Sequence, residues 1–452
     1  MHPKTLFGTV LMLIAVLISA CNINANATAS NTTFVTTTNC PGQERGRAAV
    51  MPALTSPQHQ DVAYLWQDHA KTVLSEYDTQ TGNKKKLLTF TENDNVNANV
   101  SPDGHWIIVT QSTSDLENAI KLVRIDGAYA QTLYCSTSDN FLSSALLSPN
   151  QHSLVFSEVN PNTQTFTLNK LDMSTGKVQA LLSSLQPGYP GVPIQPQAIG
   201  DTSTQASSQQ PQANIHYYSQ LLMPQSGKPP ITGYIPFKWA GNSSLYLQSA
   251  AVVPSGGGAF PNNLYQLLDI NKPVEQQSNN VKSLTAALKQ GSCYNYDITA
   301  DHTQLICSMG PSNPLDPTQP GVGVAAVNGT SLHNIFTASS SNQMVLASTP
   351  SGHMVLFIVN DVKTKLAQFY QINSNGTALK LITSAKAAEY AYEGYGARKG
   401  YANVLHDGKY YALLAFTNST NMLVIGKLAG GSPTTTKISD DIETRIVGWT
   451  AA

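Results

Sequence analysis

Charge is what this sequence has least of. Asp, Glu, Lys and Arg make up 12% of its 452 residues, about half the usual share, and 26 basic side chains stand against 27 acidic ones. No field of one sign exists to gather nucleic acid or to coat an anionic bilayer, so both functions are disfavoured. Long apolar runs are also missing. The longest, Leu6 to Ile18, is 13 residues, short of the roughly 20 that a helix needs to cross a bilayer. No Cys-x-x-Cys, His-Glu-x-x-His or EF-hand spacing and no Gly-x-Ser-x-Gly elbow occurs, which removes the usual metal, redox and hydrolase signatures. What is present is 41% hydrophobic residues among abundant Ser, Thr, Asn, Gln and Gly. That composition argues against a coiled coil or helical bundle and for a β-rich, loop-rich, exported chain.

The N-terminus carries the strongest local motif. Lys4 leads into the apolar run, which ends in Leu17-Ile18-Ser19-Ala20-Cys21 and resembles the bacterial lipobox. The resemblance implies a signal peptide over 1–20 and lipidation of Cys21, which becomes the mature N-terminus. An ordinary secretory signal with an incidental cysteine is the alternative. Asn22 to Gln43 contains no charged residue and few large apolar ones, so a flexible tether is expected over 21–45. The remaining cysteines, Cys40, Cys135, Cys293 and Cys307, are even in number, as disulfides in an oxidising compartment require. Cys293 and Cys307 flank a predicted turn and are the favoured pair, leaving Cys40 and Cys135 to tie the tether's end to the folded body. Free buried thiols are the other reading.

Repeats organise the rest. Ser101-Pro102-Asp103-Gly104-His105 links a strand end to the apolar strand Trp106 to Val109, and Ser148-Pro149-Asn150 and Thr349-Pro350-Ser351-Gly352 head similar units. Looser copies begin near Pro57, Ala240, Ala300 and His406, making seven. Most of the spacings, 45, 47, 91, 60, 50 and 56 residues, suit one four-stranded propeller blade. Each unit continues with a strand, a turn containing Gly or Asn, and another strand. The final segment, Arg445 to Thr450, resembles the strand before each turn, yet no turn follows it. It is expected to pair with residues 61–90 and close the ring. The fold class is therefore all-β: a seven-bladed β-propeller of four-stranded antiparallel blades spanning 46–452, closed by the C-terminal strand, with six or eight blades as runners-up.

The Ser-Pro-Asp-Gly unit resembles the WD40-like repeat of TolB-like propellers, a superfamily that also includes the propeller domains of prolyl oligopeptidase-type peptidases. The match covers roughly 55–450. TolB itself carries an α/β domain before its propeller, and here only a short tether lies between Cys21 and the first blade. The resemblance implies the repeat architecture, not the TolB role.

Within a blade, strands a to d run outward from the axis, so a–b and c–d turns share one face and b–c and d–a loops share the other. The long insertions are expected on the second face: d–a 185–234, b–c 250–263, b–c 309–322 and d–a 385–401. Segment 185–234 is rich in Pro, Gln and Ser, with Tyr217, Tyr218 and Tyr234 as candidate anchors. The loop bearing Glu389, Tyr390, Tyr392, Glu393, Tyr395, Arg398 and Tyr401 offers flat amphipathic rings suited to peptide or glycan. Packing of those rings on neighbouring blades is the alternative. His59, His105, His152, His302, His353 and His406 sit near a–b turns of different blades, which spreads them round a ring instead of converging them on a metal.

Two functions follow. The first is a lipid-anchored scaffold at the outer side of a bacterial membrane, held there through its lipid only. It binds an unknown protein, peptide or glycan through its b–c/d–a face, without metal or cofactor. The second is a propeller enzyme, a polysaccharide lyase or hydrolase, in the central well. A convergent cluster of buried His, Arg, Tyr or carboxylate at the axis separates them.

Overall fold

The computed structural model describes residues 37–451 apart from 42–44, 55–58, 69–70, 93–94, 113–117, 137–139, 161–164, 183–230, 253–262, 274–278, 289–292, 294, 310–319, 340–342, 352, 362, 387, 392–403, 405–407, 418–419 and 440–443. Seven four-stranded antiparallel sheets make up the propeller. Blade 1 joins the last strand of the chain to the first three: β1 (Val62–Asp68), β2 (Lys71–Tyr77), β3 (Lys84–Glu92) and β28 (Arg445–Trp449). Blade 2 holds β4 (Asn95–Val100), β5 (Trp106–Ser112), β6 (Asn118–Arg124) and β7 (Ala130–Cys135). Blade 3 holds β8 (Phe141–Leu147), β9 (Ser153–Asn160), β10 (Thr165–Asp172) and β11 (Val178–Leu182). Blade 4 holds β12 (Ile231–Trp239), β13 (Leu245–Val252), β14 (Leu264–Leu267) and β15 (Val281–Ser283). Blade 5 holds β16 (Asn295–Ile298), β17 (Gln304–Met309), β18 (Gly321–Ala326) and β19 (His333–Thr337). Blade 6 holds β20 (Gln343–Ser351), β21 (Met354–Asp361), β22 (Leu366–Asn373) and β23 (Lys380–Lys386). Blade 7 holds β24 (Glu389–Ala391), β25 (Tyr410–Phe416), β26 (Asn421–Lys427) and β27 (Thr434–Ser439).

The repeat turn works through its side chains. Ser101 N donates to Trp106 O (2.7 Å), the Ser101 Oγ accepts from Trp106 N (2.9 Å), and Asp103 Oδ1 accepts from His105 N (3.2 Å). Ser148 and Asn150 repeat this toward Ser153 N (3.0 Å) and His152 N (3.2 Å); Thr299 and Asp301 repeat it toward Gln304 N (3.0 Å) and Thr303 N (3.2 Å). The fourth position takes the left-handed conformation each time, with φ of 76° at Gly104, 61° at Gln151 and 59° at His302. Glycine is the unstrained choice there, so the two weaker copies bear a conformational cost that the consensus copy avoids.

Every blade is covered on both sides by its neighbours. The middle strands are accordingly buried on both faces: all seven residues of β5, the apolar Trp106 to Val109 and the polar Thr110 to Ser112, are buried. Leu356, Ile358 and Phe369 of blade 6 pack on Tyr411 and Leu413 of blade 7, while Val62 and Tyr64 of blade 1 pack on Leu414 and Leu423 of blade 7. Ala63, Leu65 and Leu74 complete blade 1 against Ile107 and Val109 of blade 2. The scarce cations tie neighbouring blades together. Lys85 donates to Asp126 O (2.6 Å), Lys238 to Ile298 O (2.6 Å) and Lys380 to Ala429 O (2.7 Å), each reaching the next blade.

The ring closes as the sequence implies. Val62 pairs with Trp449 and Ala63 with Gly448, and Thr450 N donates to Asp61 O (2.8 Å). Beyond that sheet, Ala451 N donates to Gly104 O of blade 2 (3.0 Å).

The end of the N-terminal segment is fastened to the folded body. Within 21–45, the part from Thr37 is docked on blade 2. Thr37 forms a parallel bridge with Gln131, and Gly46 returns in an antiparallel bridge with Tyr134, so the segment folds back along the outer edge of β7. Arg47 clamps the two limbs by donating to Thr37 O (3.2 Å), Asn39 O (3.0 Å) and Thr132 O (3.1 Å). Cys40 is bonded to Cys135 with Cα atoms 5.6 Å apart, and Cys293 to Cys307 at 5.4 Å. A β-edge with unpaired donors and acceptors accepts such a strap readily, and local composition does not reveal which edge it covers.

Candidate interaction face

The two faces of the ring are built differently. On the a–b/c–d face the c–d turns, apart from the longer 268–280 connection of blade 4, are short, and most are locked by an Asp or Asn carboxyl or amide oxygen. Asp78 Oδ1 accepts from Thr81 N (2.8 Å), Asp126 from Ala128 N (3.0 Å), Asp172 from Thr175 N (2.9 Å) and Asp269 from Asn271 N (2.9 Å). Asn328 and Asn375 repeat the contact to Thr330 N (3.2 Å) and Thr377 N (3.1 Å). The Ser174 hydroxyl and the turn amides hold the Asp172 carboxyl down at about 2. These carboxylates serve their own turns. The b–c/d–a face instead receives the long connections: 183–230 between β11 and β12, 253–263 between β13 and β14, and 310–320 between β17 and β18.

At that face polar side chains join one blade to the next. Asn360 of β21 donates to Tyr390 O (2.6 Å) and accepts from Tyr390 N (2.9 Å) across the seam between blades 6 and 7. Asn118 donates to Asn140 O (2.6 Å) ahead of blade 3, and Asn421 donates to Thr444 Oγ1 (3.1 Å) ahead of β28. No local motif marks these residues, because each contact crosses between blades.

The densest polar cluster lies at the seam of blades 2 and 3. Glu158 of β9, 7% exposed, accepts from Tyr134 Oη (2.9 Å), Asn140 Nδ2 (2.9 Å), Asn169 Nδ2 (3.4 Å) and Arg45 Nη2. Arg45 also donates to Tyr134 Oη. Burial, reinforced by the neighbouring carboxylate, raises the Tyr134 pKa, so its hydroxyl stays protonated and donating. Arginine, tyrosine and carboxylate do converge here, but on the second, third and outermost strands of their blades and on the strap, away from the innermost strands. The carboxylate is saturated by donors within the fold, so the cluster is a clasp under the strap and has no lone pair to offer a substrate.

The sequence-selected residues separate accordingly. Tyr234 was expected in the 185–234 insertion; it lies inside β12, 5% exposed, edge-on to Tyr265 at 5.2 Å. Tyr390, expected on a displayed loop, is 2% exposed in β24 and packs in the core of blades 6 and 7. Glu389 belongs to the same strand. The segment itself is no d–a loop. Ala391 pairs with Leu414 and Val404 with Tyr411, so residues 392–403 interrupt the innermost strand of blade 7 instead of preceding it. Pairing on both sides of the insertion, invisible in composition, sets this origin. Cys21, Tyr217, Tyr218, Tyr392, Glu393, Tyr395, Arg398 and Tyr401 lie outside the described residues. His105, His152, His302 and His353 occupy or adjoin the a–b turns of four different blades, and among the described residues no three His, Cys, Asp or Glu side chains group as metal ligands.

No protein-family model matches the chain, and no curated protein matches it. Among solved structures it is similar to TolB from Acinetobacter baumannii, with 16% identity over 70% of this chain and 62% of that one at a TM-score of 0.40. It is similar to an oligogalacturonate lyase in complex with manganese, with 11% identity over 84% of each chain at 0.49. It is also similar to the β-propeller domain of the Trilobed protease from Pyrococcus furiosus, which has an open velcro topology, with 11% identity over 84% and 99% of the chains at 0.47. At such identities and TM-scores no activity carries over, and the architecture rests on the seven sheets themselves. The chain is a seven-bladed β-propeller of four-stranded antiparallel blades.

Proposed function

We propose that this protein is an exported, lipid-anchored propeller of the bacterial cell envelope that binds a protein, peptide or glycan through its b–c/d–a face and performs no chemistry of its own. The observation that carries the reading is the asymmetry of the faces: hydrogen-bonded turns on one, and on the other the long connections mounted on a rigid frame. The lipobox-like Leu17 to Cys21 supports the anchor, and the two disulfides suit an oxidising compartment. The saturated state of Glu158 supports binding over catalysis.

The anchor is tested by Cys21→Ala, which releases the protein to the soluble fraction; retention with membranes removes the lipid as the anchor. Binding is tested by cross-linking in envelope extract. A variant with 310–319 shortened and one with 253–262 shortened are compared with wild type and with Lys177→Ala on the opposite face. A partner recovered by wild type and Lys177→Ala but lost with a shortened connection is expected. Recovery indifferent to both connections refutes the assigned face.

A further inference from the structure

Blade 1 contains both ends of the propeller, and two carboxyl groups are buried where they meet. Asp61, the residue before β1, is 5% exposed and Glu76 of β2 is 6% exposed. Glu76 pairs across the sheet with Ala63, whose side chain packs toward blade 2, so the Glu76 side chain points the same way. The backbone of Asp61 holds the end of the chain twice: Thr450 N donates to Asp61 O (2.8 Å) and Asp61 N donates to Thr450 Oγ1 (3.1 Å). One residue on, Ala451 crosses to Gly104 of blade 2. Asp61 Oδ1 accepts from Thr79 N (3.0 Å), whereas Glu76 Oε1 is buried with no hydrogen-bond partner. The only cation facing Glu76 among its described neighbours is Lys85, its cross-strand pair on β3, whose ammonium donates to Asp126 O.

We propose that the Asp61–Glu76 pair makes the junction of the chain's two ends a pH-operated joint, closed firmly in acid and loosened as the surroundings turn neutral to alkaline. Ionising both of these buried carboxyl groups places like charges in a site with one cation, so the closed junction favours the state in which at least one keeps its proton. The groups facing Glu76 are Asp61, Lys85, Asp78 and Asp126; those facing Asp61 are Asp78, His59 and Thr79. Burial first, then the Asp61 charge, pushes Glu76 up to about 7, and burial also raises Asp61. A carboxyl raised in the closed state stabilises closure fully below its ordinary pKa of 4.5, and this contribution is lost as pH rises through about 7.

Hydrogen exchange of the β28 and Thr450 amides, corrected for intrinsic rates and referred to β5 amides in the same sample, tests the joint from pH 5 to pH 8.5. Opening of the closing strand is expected to increase on the order of 100-fold across that range in wild type, with the inflection near pH 7. It is expected to stay flat in Glu76→Gln and to keep its inflection in His59→Gln. A flat wild-type profile, an undiminished rise in Glu76→Gln, or loss of the inflection in His59→Gln each overturns the assignment. If Glu76→Gln does not fold, the wild-type and His59→Gln profiles decide alone.

Discussion

The two disulfides close loops of very different length, and the chain-entropy account of cross-links turns that difference into a measurable ordering. Cys40 and Cys135 are 95 residues apart, which corresponds to about 4.7 kcal/mol of stabilisation at 25 °C. Cys293 and Cys307 are 14 apart, which corresponds to about 3 kcal/mol. The folded strap does not depend on its disulfide alone, because Arg45 and Arg47 of its returning limb bond Glu158 and Thr132 of the blades and Arg47 also holds the other limb at Thr37. Cutting the bond therefore acts chiefly on the unfolded chain. Comparing Cys→Ala variants directly would mix in lost sulfur packing, since Cys135, Cys293 and Cys307 are all buried. The cleaner design reduces one disulfide at a time. Cys40–Cys135 is reduced in a Cys293→Ala/Cys307→Ala background, and Cys293–Cys307 in a Cys40→Ala/Cys135→Ala background. Guanidinium unfolding followed by tryptophan fluorescence should show the long loop losing about 1.7 kcal/mol more than the short one. Equal losses, or a larger one for Cys293–Cys307, would refute the entropic reasoning.

Gly104→Ala should destabilise by about 2 kcal/mol or more, because φ is 76° and the new Cβ would lie 2.4 Å from Ala451 N. Gly82→Ala, at φ 74° with its nearest atom 3.6 Å away, should cost only about 1 kcal/mol; thermal unfolding that finds the two equal would discount the docking of Ala451. Ser148→Ala, at a fully buried turn hydroxyl, should cost about 1–2 kcal/mol by leaving Ser153 N without its acceptor, while Ser174→Ala on an exposed turn should be nearly neutral. Asn360→Ala should cost about 2–4 kcal/mol, since both backbone groups of Tyr390 lose their partner, and faster exchange of the Tyr390 amide than in wild type is the specific readout.

The blades were legible because each is announced by residues that fold only themselves. The Ser-x-Asp-Gly pattern survives in Ser148-Pro149-Asn150 and Thr299-Ala300-Asp301 since the hydroxyl and carboxyl or amide oxygen bond amides within five residues, a purely local requirement. Ring closure was legible for a related reason: Arg445 to Thr450 has strand character and resembles the strand before each repeat turn. Contacts between blades left no such trace. Asn360, Asn118, Lys85 and Glu158 look like ordinary polar residues until the seams they bridge are known. Tyr234 and Tyr390 were assigned to loops because their neighbours are polar or glycine-rich, whereas pairing with Ser249 and Ala415 puts them in innermost strands. The interruption between Ala391 and Val404 was hidden because a strand of three residues carries almost no periodicity.

Because β1 finds its inner neighbour only in β28, folding of this chain has a built-in order of completion. A product released early, at any point before Arg445, presents blade 1 with a bare inner edge, open to whatever strand passes by. The closing strand thus acts as a proof of integrity: a chain that lacks it leaves that edge uncovered and recognisable to proteases.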